Sequence, residues 1–330
     1  VEHPRDVAGD PDLLNLTRPE VVSEIHRSYL DAGADVLTTN TFTATTIGQA
    51  DYGLEQFARE MSLEGARLAR KAADEVDRPA WVAGSLGPLN VSLSLSPKVD
   101  DPGYRSATFE QVRDAYADQI RALAEGGVDV LWIETMSSKE EVTAAVKGAA
   151  VAGLPIVTTC SFDTNGRTMM GLTPADFVAF VHELDPKPLA YGANCGVGAP
   201  DLAVTITQLA AAAQPGDVIV AKGNCGIPYY EEGHIRYNGT PELMAEYARV
   251  VREAGARIVG GCCGTSPEHL QALRNSLDHH QPGEMPTVDN IVTRLGPITS
   301  KAAATLGSEQ PGGGRRNRRR ANGADGHPNF

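Results

Sequence analysis

The sequence predicts a parallel α/β fold, and three observations support that prediction. Apolar runs of strand length recur without alternating polar residues, which is typical of strands buried on both faces. Segments with helical start and stop signals separate these runs, as in a repeated helix–strand unit. The chemically distinctive residues follow the ends of several different strands, and no Gly-x-Gly-x-x-Gly follows a first strand. Together these features favour a (β/α)8 barrel of the TIM type over a doubly wound sheet.

The predicted helices begin at a hydroxyl residue and end near glycine. The clearest starts are Thr17, Thr108, Thr173, Thr240 and Ser266. The first two are predicted to be capping boxes, in which the hydroxyl binds a free backbone N–H and the third helical residue reaches back. The helices are predicted to end at glycines that tolerate the left-handed cap, namely Gly33, Gly127, Gly153 and Gly255.

Seven apolar runs are predicted to be strands, at residues 36–39, 81–84, 130–133, 156–159, 189–192, 218–221 and 257–260. An eight-stranded barrel therefore lacks one strand. Because the chain begins with a loop-like segment before its first helix, we expect the first strand to be the missing one and the chain to be truncated at its N-terminus. Open edges at 36–39 and 257–260 would expose unpaired backbone groups, which predicts association between copies.

Composition limits the class of protein. The 330 residues are 42% hydrophobic, which suits one large domain, predicted at 1–296. The net charge of −13 argues against nucleic acid as a partner. No apolar run is long enough to cross a membrane, and no apolar leader precedes the first helix, so a cytoplasmic location is predicted.

Residues 297–330 form a basic, Gly/Arg-rich tail that is predicted to be disordered. Lys301 and five arginines stand there against Glu309 and Asp325. A tail of this charge either touches RNA or anionic surfaces or is solvated without a function, and its composition favours the second interpretation.

Three cysteines follow strand-like runs and have glycine neighbours. Cys195 ends one run, and the adjacent Cys262 and Cys263 follow another. Adjacent cysteines pair poorly in a disulfide, and the glycines let the backbone approach a bound atom closely. Three protein thiolates with a fourth position left for water or substrate are typical of catalytic zinc. The sequence therefore predicts a zinc site at these residues; the alternative is three unrelated core cysteines.

Two further cysteines are left out of the predicted site. Cys160 lies within an apolar run and is expected to be a small buried hydrophobe. Cys225 follows the sixth strand-like run and is expected to be buried as well. A fourth protein thiolate on the metal would close the site to substrate.

The segments around the three cysteines resemble the homocysteine S-methyltransferase family. That family includes the betaine–homocysteine methyltransferases and the homocysteine module of cobalamin-dependent methionine synthase. The resemblance spans about residues 14–277 and is carried mainly by residues 192–196 and 260–269. It implies a zinc enzyme that methylates the thiol of homocysteine to give methionine. The three cysteines would then be the ligands of a zinc that activates the substrate thiolate.

Other candidate residues also stand at strand ends. Glu134 follows a buried run, so its carboxylate is expected in the barrel mouth. The resemblance implies that it binds the ammonium group of homocysteine; the alternative is a structural ion pair with an arginine. Asn194, Asn40 and Ser85 are candidate substrate-binding residues, for which pocket lining and simple turn chemistry both stay open.

The chain departs from the family at two places. The Gly/Asp-rich first loop that holds the amino-acid end of homocysteine is absent, and the positions matching the donor-binding tyrosines are Thr45 and Thr135. The methyl donor is predicted to be betaine or a similar onium compound. One alternative is methylcobalamin carried by a corrinoid partner protein. Another is a zinc- or thiol-binding barrel without catalytic activity.

Overall fold

The computed structural model describes residues 7–300, apart from the side chains of residues 228 and 235. Seven parallel strands form one curled sheet, and each corresponds to a predicted run. In sheet order they are β1 (Val36–Thr38), β2 (Trp81–Leu86), β3 (Val130–Met136), β4 (Ile156–Cys160), β5 (Ala190–Cys195), β6 (Ile219–Gly223) and β9 (Ala256–Gly261). The predicted α/β fold, a TIM-type barrel with one strand fewer, is confirmed.

Helices alternate with these strands. They are α1 (Leu14–Thr17), α2 (Pro19–Asp31), α3 (Thr46–Gln49), α4 (Ala58–Asp74), α5 (Phe109–Glu125), α6 (Lys139–Ala149), α7 (Pro174–His182), α8 (Ala199–Ala212), α9 (Pro241–Glu253), α10 (Pro267–Asp278) and α11 (Val288–Leu295). An antiparallel hairpin of β7 (Pro228–Glu231) and β8 (His234–Tyr237) follows β6. The sequence patterns did not predict this hairpin.

Most helix boundaries are those that the capping signals predicted. Thr108 and Gln111 form the expected capping box at the start of α5. The predicted capping box at Thr17 is wrong, because this residue ends α1 and its hydroxyl donates to the Leu13 carbonyl oxygen at 3.1 Å. Helix α2 begins at Pro19 instead, where the fixed φ of proline suits the first helical position.

The sheet curls until its two edge strands approach each other. The hydroxyl of Tyr29, on α2, donates to the Thr265 carbonyl oxygen at 2.5 Å. Arg274, on α10, donates to the Asp35 carboxylate at 2.6 Å. Within residues 7–300, no strand pairs with the outer edge of β1 or of β9. Side chains therefore link the two edges where a closed barrel would have backbone hydrogen bonds.

The inner face of the sheet changes from apolar to polar towards the carboxyl ends of the strands. Its apolar part is a cluster of Ala83, Trp132, Val157, Ala190 and Val220. Residues two or four positions further along a strand lie on the same face. They form a polar layer, the name used below for Ser85, Glu134, Thr159, Asn194 and Lys222. The barrel interior thus has an apolar floor below a polar mouth.

The described chain ends beside α8. In the part of the chain from 7 to 300, no helix is both long and apolar enough to cross a membrane. Thr299 and Ser300 donate backbone N–H groups to the Asp201 carboxylate at 3.0 and 2.9 Å, which fixes the end of the described chain to α8. Of the tail predicted at 297–330, residues 301–330 lie outside the described residues.

The spacing between β5 and β6 depends on the absence of a side chain at Gly192. A Cβ there would lie 2.0 Å from the Val220 carbonyl oxygen, so we expect Gly192→Ala to push the two strands apart. Overpacking of this kind lowers the free energy of unfolding by roughly 1–3 kcal/mol. Urea unfolding of this variant beside Gly283→Ala, where a Cβ meets nothing within 4 Å, measures the effect. Equal stabilities of the two variants would contradict the prediction.

Candidate active site

Three thiols meet at the carboxyl end of the sheet. Cys195 ends β5, and Cys262 and Cys263 directly follow β9. Their three sulfur atoms lie within 4.8 Å of one another, and the sulfurs of Cys262 and Cys263 are 4.0 Å apart. Tetrahedral zinc with Zn–S bonds of about 2.3 Å holds its sulfurs roughly 3.8 Å apart. The three cysteines therefore fit a metal with one open position.

The thiols are protonated at neutral pH unless a cation joins them. Contact with Cys195 raises the pKa of Cys262, and burial adds to the rise. The hydrogen bond with Cys262 lowers the pKa of Cys195. The contact with Cys263 and burial raise it by more, so the pKa of Cys195 is raised as well. A bound divalent cation reverses this preference, because it stabilises thiolates. Three clustered thiols of this kind therefore suit the binding of a metal cation.

The backbone around Cys195 is strained. Cys195 adopts φ 62°, and Gly196 follows with φ 80°. A left-handed conformation is costly for a residue with a side chain, and it persists only where the surroundings hold it. On the other side of the cluster, the Cys262 N–H donates to the Gly223 carbonyl oxygen at 2.8 Å. Since Cys195 lies opposite Gly223 in the sheet register, both segments that carry the thiols contact Gly223 of β6.

Asn194 connects three strands to the thiol cluster. Its carbonyl oxygen accepts from the Thr135 N–H at 2.8 Å and from the Thr159 hydroxyl at 2.6 Å. Its amide nitrogen donates to the Thr135 hydroxyl at 2.8 Å and lies 3.7 Å from the Cys262 sulfur. The side chain is fully buried. We therefore interpret Asn194 as a residue that positions Cys262 and the left-handed Thr135.

Asn224 has a matching role that the sequence patterns did not indicate. Its amide nitrogen donates to the Gly196 carbonyl oxygen at 2.7 Å and lies 3.6 Å from the Cys195 sulfur. Its carbonyl oxygen accepts from the Cys263 N–H at 3.1 Å. The available signal was its place after a strand beside glycine, as at Asn194. Asn224 thus joins the two segments that carry the thiols.

Glu134 is buried in the polar layer with two partners. Ser85 donates its hydroxyl to one carboxylate oxygen at 2.7 Å, and the Lys222 ammonium donates to the other at 2.8 Å. The side chains of Lys222 and Glu134 are 14% and 8% exposed. Burial lowers the pKa of Lys222, but Glu134 and the Cys262 and Cys263 thiols outweigh it, so the pKa is raised. Lys222 is therefore a buried cation, and the ion-pair partner of Glu134 is this lysine rather than an arginine.

Tyr237, at the end of β8, closes one side of the thiol cluster. Its hydroxyl is hydrogen-bonded to the Cys263 thiol, and burial together with the cysteines raises its pKa to about 12. Its ring fills the space beside Gly264, where a Cβ would lie 2.3 Å from the ring. The same hairpin carries Tyr229 and Tyr230, both exposed. Of these three tyrosines, Tyr237 is the one that contacts the thiol cluster.

The remaining predicted residues lie apart from the thiols. Asn40 donates to the Pro11 carbonyl oxygen at 2.8 Å and to the Asn15 side chain at 3.1 Å, so it holds the turn before α1. Cys160 and Cys225 are buried and do not belong to the thiol cluster. Burial raises the pKa of both thiols.

Comparisons with known proteins identify the family and support the fold. The family model for homocysteine S-methyltransferase matches residues 3–277. The metallated form of the homocysteine methyltransferase MmuM from Escherichia coli is 24% identical, covers 82% of this chain and 90% of its own, and superposes with a TM-score of 0.66. Its apo form is 23% identical, with coverages of 80% and 88% and a TM-score of 0.61. At these identities, the structural likeness supports the fold.

Removal of the Asn194 side chain tests its positioning role. Asn194→Ala leaves the Thr135 N–H without its partner and frees the Cys262 sulfur, so we expect zinc affinity to fall by roughly 10–100-fold. A competition titration with a chromophoric chelator measures this affinity. Asn40→Ala is the matched control at a strand end away from the thiols, and its affinity should equal that of the unchanged protein. Equal affinities in both variants would leave Asn194 without this role.

Proposed function

Since the chain belongs to the homocysteine S-methyltransferase family, we propose that it transfers a methyl group to the thiol of homocysteine and forms methionine. The observation that carries the proposal is the meeting of Cys195, Cys262 and Cys263 above a buried polar layer. Zinc held by these three residues would lower the pKa of the substrate thiol and leave its sulfur nucleophilic.

The residues around the thiols give the reaction its geometry. Asn194 and Asn224 hold the protein sulfurs in place. A metal bound by these sulfurs would therefore keep one position and leave the same coordination site open to the substrate. The carboxylate of Glu134 is suited to bind the ammonium group of homocysteine one layer below. A substrate held at both ends presents its sulfur in line with the methyl carbon, and this alignment supplies much of the rate.

The methyl donor of this proposal is betaine or a similar onium compound. The new S–C bond forms with the sulfur's electron pair while the C–N bond breaks, and the donor nitrogen keeps that bond's electron pair and leaves as an uncharged amine nitrogen. Aromatic faces attract such cations. The nearness of Tyr237 to Cys263 supports a positively charged donor.

Loss of one thiol should abolish both metal binding and methyl transfer. We expect about one zinc per chain in the unchanged protein and little in Cys262→Ala, because two thiolates hold the ion poorly. Metal analysis gives the zinc content, and chromatography gives the methionine formed from homocysteine and betaine. Cys225→Ala, which removes a buried thiol outside the cluster, should keep both properties. A full zinc content in Cys262→Ala would refute the site.

Loss of the Glu134 charge should weaken substrate binding without loss of metal. Glu134→Gln keeps the shape of the side chain but removes a charged hydrogen bond of roughly 1.5–3 kcal/mol. We expect the KM for homocysteine to rise about 10–100-fold while zinc content stays unchanged. Glu140→Gln, at an exposed position of α6, is the control. A KM unchanged in Glu134→Gln would reduce the residue to a structural partner of Lys222.

A further inference from the structure

The buried pair of Lys222 and Glu134 lies directly below the thiol cluster. Lys222 stands opposite Asn194 of β5 and Gly260 of β9 in the sheet register. Gly260 has no side chain, and a Cβ there would lie 3.4 Å from the Lys222 side chain. The Lys222 ammonium also lies 5.1 Å from the centre of the Trp132 ring, the top of the apolar floor. A cation and an anion thus share the level of the barrel just beneath the sulfurs.

A contribution to the free energy of unfolding is a poor explanation for a buried pair of this kind. Two charges lose their hydration inside the protein, and an apolar pair of similar volume is often equally stable or better. The helices that surround this sheet supply an ample apolar core without it. A buried pair of opposite charges at the mouth of the barrel, beside candidate metal ligands, therefore indicates a binding role.

We propose that Lys222 binds the carboxylate of the amino-acid substrate while Glu134 binds its ammonium group. This assignment rests on the proposed function of the same site. On binding, the substrate ammonium takes the place of Lys222 on Oε2 of Glu134, and the Ser85 hydroxyl stays on Oε1. The released Lys222 ammonium then pairs with the substrate carboxylate. One internal ion pair is exchanged for two ion pairs with the substrate.

The exchange makes the site selective for a zwitterion. The Lys222–Glu134 pair has no net charge, and neither do the two ends of an α-amino acid. The ammonium group of a thiol that lacks the carboxylate displaces Lys222 from Glu134 and leaves the lysine unpaired. The carboxylate of a thiol that lacks the ammonium group draws Lys222 away and leaves Glu134 without its cation. An unpaired buried charge is strongly unfavourable, so sites of this kind reject ligands that lack one partner.

Thiol binding to the cobalt-substituted protein tests the assignment without a methyl donor. Coordination of a thiolate to cobalt gives a charge-transfer absorption, and a titration yields the Kd. The ligands are homocysteine, homocysteamine, which lacks the carboxylate, and γ-mercaptobutyrate, which lacks the ammonium group. In Lys222→Met we expect the preference for homocysteine over homocysteamine to fall at least tenfold. In Glu134→Gln the preference over γ-mercaptobutyrate should fall by a similar factor.

A neutral double variant protects the test against misfolding. Glu134→Gln combined with Lys222→Met keeps both shapes without leaving a buried charge unpaired, and it should lose both preferences while cobalt still binds. Equal weakening of all three thiols in Lys222→Met would overturn the assignment and make the lysine a simple counter-ion. An unchanged preference for homocysteine in that variant would overturn it as well. Failure of the unchanged cobalt protein to respond to homocysteine would instead refute the proposed function, and the assignment with it.

Discussion

The shared direction of the strands is the constraint on which the site depends. Strands β5, β6 and β9 are neighbours, and their pairing places Cys195 opposite Gly223 and Gly223 opposite Gly261. This ladder brings together thiols that lie more than sixty residues apart in the sequence. The glycines matter as much as the cysteines, because a side chain at Gly261 would collide with Thr265, where a Cβ would lie 2.2 Å from the hydroxyl. The cluster therefore follows from backbone register and from missing side chains together.

The charges of the site are balanced in two separate layers. Lys222 and Glu134 cancel each other in the polar layer, whereas the thiols above them stay neutral until a cation lowers their pKa values. Metal binding would change the charge of the upper layer, which interacts with the Lys222 ammonium below it. A buried lysine beside the sulfurs would also offset part of the negative charge that three thiolates and a substrate thiolate would bring. The two layers suit a substrate whose sulfur and amino-acid ends need different environments.

Local patterns predicted the fold and the three cysteines, and they failed where tertiary contacts decide. Buried parallel strands are visible as unbroken apolar runs, so all seven were predictable, and the thiols at their ends came with them. Thr17 has the spacing of a helix cap, but a preceding helical turn takes its hydroxyl instead. Lys222 and Asn224 were missed because their partners lie on other strands, and register alone brings them into contact. The Tyr237 hairpin was missed because its short strands pair only with each other.

The open side of the sheet determines which parts of the site are held by paired strands on both sides. The gap lies between β1 and β9, the two edge strands of the sheet in the described residues. The hydrogen bonds from Tyr29 of α2 to Thr265 and from Arg274 of α10 to Asp35 hold the two edges close to each other without backbone pairing between the strands. Cys195 and the polar layer are supported by paired strands on both sides, whereas β9 is supported by β6 alone. The contacts from β6 to the cysteine pair therefore matter most, since they hold Cys262 and Cys263 in place where the sheet itself ends.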